Sequence, residues 1–252
     1  MSMDVQEITT RTALVRSRIP GVEFVINPYL GCGHGCRYCY AVFMTKYSRH
    51  HVRSAWGQFV EVKTNIAAVL RDELRRKRKT GTAMLSSVCD PYQPAERRYK
   101  LTRRCLEALR DFNWGIEILT RSPLVLRDLD ILKTLPRVSV GLTIPTDDDR
   151  VRRVTEPGAP PIGSRIVTLR RLKEAGVATW AFIGPMLPMN PERLAELVAP
   201  VADEVMIDAL NYRGQVAGLF RQQGWAYALT NEYAQRTRRV LMGRLGRKAS
   251  SV

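Results

Sequence analysis

The sequence predicts an α/β fold: a partial (β/α)6 barrel with a parallel sheet, a short N-terminal arm and a basic C-terminal helical extension. Three observations predict it. Short apolar runs bounded by Gly, Pro or Asp alternate with apolar residues at helical spacing over residues 21–211. At 252 residues and 45% hydrophobic content, the chain fits one barrel-sized domain that needs no covalent staples. The residues with chemistry to offer fall at the C-terminal ends of the predicted strands, where parallel sheets keep their working groups. The division is an arm over 1–20, a core domain over 21–211 and an extension over 212–252.

Residues 1–18 have no clear periodicity. Residues 22–26 read as the first strand and 59–62 as a short one. Ile66, Val69, Leu70 and Leu74 then recur at helical spacing, so Thr64 or Asn65 starts a helix. That helix runs out in Arg75-Arg76-Lys77-Arg78-Lys79, cations that favour a helix C-terminus. Residues 83–88 are apolar and short, a buried parallel strand ending at Cys89-Asp90. Leu101, Cys105, Leu106 and Leu109 form the next stripe and make Cys105 a core residue. Residues 116–120 are a strand ending at Arg121-Ser122, where Ser122 caps a helix with Pro123 at its first position. Val138, Val140, Leu142 and Ile144 alternate as a strand. The Asp147-Asp148-Asp149 turn beyond it reads as a helix cap before a metal site. Ser164 is expected to cap the next helix. Residues 177–183 are a strand, Asn190-Pro191 caps a helix, and 204–209 is the last clear strand. Past Tyr212 a basic helix carries Tyr233, Val240 and Leu241 on one side and Arg236, Arg238, Arg239 and Arg244 on the other, suited to lie across the open barrel side or on phosphates. Residues 247–252 are expected to be disordered. The His50-His51-Arg53 stretch reads as an exposed loop rather than a ligand set.

One stretch dominates the chemistry. Residues 27–41 read NPYLGCGHGCRYCYA, with Cys32, Cys36 and Cys39 spaced C-x3-C-x2-C and glycines at 31, 33 and 35. Glycine accepts positive φ without steric cost, so such a loop folds back and aims several thiols at one centre. Three readings are open. An iron–sulfur cluster takes thiolate ligands, and three would leave one iron of a four-iron cluster open. A zinc knuckle wants four ligands, the fourth from His34, Cys89 or Cys105. The third reading is three buried thiols, which the glycine-flanked trio makes the poorest.

The charge is +16 with a sequence pI near 10.1. Such an excess favours an anionic partner, with DNA or RNA first; a solvated, arginine-rich surface is the plainer account. No apolar leader segment opens the chain and no run approaches the ~18 apolar residues of a membrane span. A cytoplasmic protein with reduced thiols and no membrane partner is expected.

The C-x3-C-x-Tyr-C-Tyr run resembles the motif of the radical S-adenosylmethionine (SAM) superfamily. The wider stretch, with Asp90-Pro91-Tyr92-Gln93-Pro94-Ala95-Glu96 and the Glu156-Pro157 pair, is similar to the branch related to spore photoproduct lyase, which repairs DNA. The resemblance covers about residues 21–211 and implies the same partial barrel. It implies a [4Fe–4S] cluster on Cys32, Cys36 and Cys39, with SAM chelated at the open iron and cleaved to a 5′-deoxyadenosyl radical by an electron from a donor such as flavodoxin or ferredoxin. It places Arg121 on the methionine carboxylate, as guanidinium geometry allows, and Tyr38 over the adenine or shielding the cluster. Asp90 and Ser122 belong to the cofactor-binding set, while Tyr92, Gln93 and Glu96 line the pocket. Tyr40 and Cys89 match the tyrosine relay and cysteine hydrogen donor of the lyases. Cys89 also reads as a small buried thiol, and much of the wider branch carries threonine there. The chain has no evident counterpart of the lyases' DNA-inserting C-terminal hairpin, so the resemblance leaves the substrate open to nucleic acid, protein or a small molecule.

Overall fold

A computed structural model describes residues 3–19, 21–48 and 54–251; the His50-His51-Arg53 stretch lies outside them. The chain opens with β1 (Asp4–Ile8), β2 (Val15–Arg16), β3 (Phe24–Ile26) and β4 (Tyr29–Leu30). β5 (Phe59–Lys63) leads into α1 (Ile66–Arg75). Then come β6 (Thr82–Leu85) with α2 (Glu96–Tyr99) and α3 (Leu101–Asp111), and β7 (Gly115–Thr120) with α4 (Leu129–Leu132). β8 (Val138–Thr143) precedes α5 (Asp149–Thr155) and α6 (Ile162–Glu174), and β9 (Ala178–Ile183) precedes α7 (Pro191–Val198). β10 (Glu204–Ile207), α8 (Arg213–Gln222), α9 (Asn231–Leu245) and β11 (Ala249–Ser251) complete the order.

The large sheet runs β2-β3-β6-β7-β8-β9-β10-β11. From β3 to β10 the six strands are parallel and follow sequence order, which is the partial (β/α)6 barrel that the alternation predicts. The helix-facing layer of the sheet is built from alternating buried residues such as Leu85, Ile118, Leu142, Ile183 and Ile207, packed by helix stripes including Leu70, Leu109, Leu169 and Val198. Cys105 is fully buried in that core, as its stripe predicts.

Several local expectations change. The 59–62 strand exists as β5 but belongs to a separate three-stranded sheet, order β1-β5-β4. The arm is paired: β1 lies parallel to β5 and β2 antiparallel to β3. Asn65 does start α1, yet its side chain ties the arm instead of capping, accepting from Thr10 N and donating to Thr10 O at 2.8 and 2.9 Å. Such pairings are non-local, so the arm's own periodicity cannot show them. Residues 249–251 form β11 on the edge of β10, anchored by Lys248 Nζ donating to the carbonyls of Ala199 and Ala202. Ser164 sits inside α6 and donates to Pro161 O, so Pro161 is the N-cap. The caps at Asp148, Asn190 and Ser122 form as expected. Finally, α9 packs against α7, and α8 is the element that meets the cysteine loop: Val216 and Phe220 join Cys36, Tyr38, Leu187 and Leu210 in a second apolar cluster.

A thiol-lined cavity at the barrel mouth

The cysteine loop leaves β4 at Gly31, whose φ is +84°; a Cβ there would lie 2.4 Å from Phe59 O. Only glycine fits so close an approach of two backbones. The loop is then gripped from three distant segments. Gln93, fully buried, accepts from Gly33 N at 2.9 Å and donates to Gly31 O at 3.2 Å, straddling Cys32. The stretch after α5 takes the other side: Arg37 N donates to Thr155 O, Arg37 Nε to Val154 O and Gly158 N to His34 O, at 2.8, 3.1 and 3.0 Å. Gly35 and Gly57 close the third contact, where a Cβ on Gly57 would stand 2.6 Å from Gly35 Cα.

Cys32, Cys36 and Cys39 all open onto one cavity of about 280 Å³ formed by the C-terminal ends of the barrel strands. Tyr38, Tyr40, Cys89, Asp90 and Arg121 line it as well. The predicted site residues therefore converge, with one exception. Ser122 is absent from the lining: its Oγ accepts from Leu124 N and its N–H donates to Thr120 Oγ1, so it serves the turn after β7. Burial raises all three loop thiols, that of Cys36 to about 12. In a dry pocket they stay protonated until a cation displaces the protons.

Asp90 touches the cavity edge, but both its oxygens serve the protein. Oδ1 accepts from Tyr92 N and Thr120 Oγ1; Oδ2 accepts from Arg121 N and faces His34 Nδ1 at 3.3 Å. Burial works against its charge, yet His34, Thr120 and the Arg121 amide hold the carboxyl at about 2. His34 thus faces Asp90 through Nδ1 and also lines the cavity. Among the described residues no three His, Cys, Asp or Glu side chains stand close enough to hold a single ion.

The Asp90-to-Glu96 run is a bracket behind the loop more than a pocket wall. Tyr92, Gln93 and Glu96 are buried and do not line the cavity. Glu96 accepts from the Tyr29 hydroxyl, from Thr102 N at 3.0 Å and from Arg127 Nη2 at 2.7 Å, fastening β4 to α3. Cys89 Sγ donates toward Ser86 Oγ and Tyr29 O at 3.3 and 3.5 Å, and burial lifts its thiol to about 11. The Tyr40 hydroxyl donates to Ser87 O, linking the tyrosine to the cysteine's own turn. Arg121 reaches the cavity too, but Glu156 Oε1 accepts from its Nε at 2.8 Å and the Tyr38 hydroxyl from its Nη2 at 3.2 Å. Glu156, noticed in the sequence only as half of a Glu-Pro pair, proves fully buried and also bonded to the Tyr38 hydroxyl and Arg165. Arg165 carried no signal: an arginine inside an amphipathic helix reads as surface, and only the fold shows it fully buried.

Fold and site define an α/β-barrel enzyme with a three-thiol loop at its C-terminal mouth. The family model for the radical SAM superfamily matches residues 26–200, more than half the chain, and the chain belongs to that superfamily. An uncharacterized protein of Methanocaldococcus jannaschii is 38% identical over 186 residues, 74% of this chain and 69% of its own length. An uncharacterized protein of Mycobacterium tuberculosis is 31% identical over 230 residues, 85% of this chain and 67% of its own length. Among solved structures, spore photoproduct lyase complexed with dinucleoside spore photoproduct has the same fold, with TM-score 0.68 at 14% identity over 98% of this chain and 81% of that one. SuiB of Streptococcus suis, bound to S-adenosylmethionine, matches with TM-score 0.56 at 16% identity over 90% of this chain and 49% of its own.

Proposed function

We propose that the chain binds a [4Fe–4S] cluster on Cys32, Cys36 and Cys39 and SAM in the adjoining cavity, and acts on a nucleic acid. The observation that carries the reading is the convergence of exactly those three thiols on one cavity with Tyr40, Cys89 and Arg121. The donor set fits the group: three loop thiols on one cavity and a backbone cradle built on glycines. A zinc knuckle loses one candidate fourth ligand, because Cys105 is sealed in the core. When bound, cluster and SAM supply one-electron cleavage of the sulfonium to a 5′-deoxyadenosyl radical.

The chain's own groups would do the rest. Arg121 offers its free guanidinium edge to the methionine carboxylate while Glu156 fixes the opposite edge. Cys89, half-buried with its proton retained, is suited to give a hydrogen atom, and Tyr40 stands beside its turn to carry the radical onward. Support for a nucleic-acid substrate comes from the rim. Tyr40 and Tyr212 line the cavity and are exposed, Phe43 and Tyr47 are exposed on the segment that follows Tyr40, and Lys46 Nζ lies 5.0 Å from the Tyr47 ring centroid. Aromatic faces next to cations suit stacked bases and phosphates. An external electron donor such as flavodoxin or ferredoxin completes the scheme.

The test is anaerobic. Wild-type protein reconstituted with iron and sulfide, reduced and given SAM, is expected to release 5′-deoxyadenosine, and Cys32→Ala is not. Zinc co-purifying without acid-labile sulfide, and no cluster on reconstitution, would overturn the reading.

A further inference from the structure

Beyond the cavity-lining Arg121 lie two further charges, Glu156 and Arg165, of which cosubstrate binding uses only the hold of Glu156 on Arg121. Glu156 and Arg165 are each fully buried, and neither lines the cavity. Glu156 Oε2 accepts from Arg165 Nη2 at 2.5 Å, and its Oε1 takes the Tyr38 hydroxyl and Arg121 Nε. Arg165 spends its remaining donors on Pro160 O at 3.1 and 2.8 Å and Thr143 O at 2.9 Å. Both oxygens of Glu156 and all three guanidinium nitrogens of Arg165 are matched, yet such charges are costly to bury. Replacing a buried ion triad by apolar residues of similar volume is often neutral or stabilising, so stability alone gives little reason for it. What distinguishes this triad is its neighbour. Tyr38, two residues after Cys36 and clustered with it, bonds Glu156 through its hydroxyl, and Arg37 N donates to Thr155 O, next to Glu156, at 2.8 Å; the charges of the array therefore stand near Cys36 in a largely buried region, where charge interactions are screened least.

We propose that the Arg121–Glu156–Arg165 array, buried at Glu156 and Arg165, sets the reduction potential of the redox group held by Cys32, Cys36 and Cys39. This rests on the cluster reading of those cysteines. Two guanidinium groups and one carboxylate leave one net positive charge against Cys36. An electron added to a thiolate-bound cluster increases its negative charge, so a fixed positive field favours the reduced form. Arg165 raises the potential from behind, and Glu156 trims it while keeping Arg121 and Tyr38 in place. Arg165 and Glu156 are positioning and tuning residues, since neither reaches the cavity.

The experiment is a spectroelectrochemical titration of the full-length, anaerobically reconstituted protein without SAM, with iron and sulfide measured per chain. Glu156→Gln is expected to move the midpoint to more positive potential and Arg165→Met to more negative potential, while Arg165→Lys stays close to wild type. Opposite signs from two neighbours in one network are the signature of charge, because a purely structural role would lower cluster content in both and leave the midpoint of the loaded fraction unmoved. That second pattern overturns the proposal. If Arg165→Met does not accumulate as folded protein, Glu156→Gln against Arg165→Lys decides: a positive shift in the first alone supports the proposal and equal midpoints sink it. Failure of the underlying cysteine reading is separately visible, because wild-type protein would then hold no cluster.

Discussion

Asp90 lines the cavity, yet both of its oxygens are bound into the protein's own framework. Its two oxygens join the turn after β6, the end of β7 and His34 of the cysteine loop. Held at about 2 in the fold against about 3.9 in an unfolded chain, it contributes stability that is fully present above about pH 4 and lost as pH falls through about 2. The contribution is worth about 2 kcal/mol at neutral pH. Asp90→Asn is expected to lower the melting temperature of the apoprotein at pH 7 and to flatten its loss of stability between pH 4 and pH 2; an unchanged acid profile would show that the stabilisation lies elsewhere. At this scale the sequence was most legible where chemistry is local. Cys32, Cys36 and Cys39 lie within eight positions, and Tyr40 follows directly. Gln93 was legible as part of a run but not in its role, because its partners Gly31 and Gly33 stand 62 and 60 positions away. Arg165 was illegible for the same reason: its partner Glu156 is close in sequence, but its burial is decided by β8 and the cysteine loop.

At the scale of elements, the strands of the barrel were legible because a buried parallel strand is a short apolar run with few alternatives. β1, β2 and β11 were not, since each is short and exposed on one side and owes its existence to an edge offered by another strand. The connection after α5 carries the clearest consequence. A Cβ on Gly158 would stand 2.3 Å from Gly33 O. Gly158→Ala must push this connection and the cysteine loop apart, at a cost of about 1–3 kcal/mol, and is expected to reduce iron bound per chain after reconstitution while the far-UV spectrum stays native. The second apolar cluster gives a matching test. Phe220 on α8 is fully buried against the group containing Cys36 and Tyr38. Phe220→Ala should cost about 3–5 kcal/mol and admit solvent beside Cys36, so a reconstituted cluster should bleach faster in air than that of wild type. Equal bleaching rates would mean that α8 does not shield the site.

For the whole molecule, the +16 charge is what the proposed nucleic-acid substrate has to answer to. Arg236 and Arg239 are exposed on α9, whereas Arg238 is partly buried with its Nε unpartnered among the described residues. If nucleic acid is the substrate, affinity should fall steeply as salt rises and should weaken on neutralising Arg236, Arg238 and Arg239 together; salt-independent or absent binding would set that substrate class aside. The overall architecture was readable from alternation alone, but the packing of α9 on α7 and of α8 on the cysteine loop was not, because both helices carry mixed faces whose partner only the closed fold selects.

The three-sided grip on residues 31–37 has a consequence for the life of the enzyme. Every bond in it is made by protein atoms alone: Gln93 on one side, Thr155 and Gly158 on another, Gly57 on the third. Small metal-dependent domains unfold when stripped, because their binding energy is their folding energy. On the proposed cluster reading, a centre destroyed by oxygen would leave behind an intact receptacle, and renewal would become a matter of delivery, repeatable on the same molecule without a new round of synthesis.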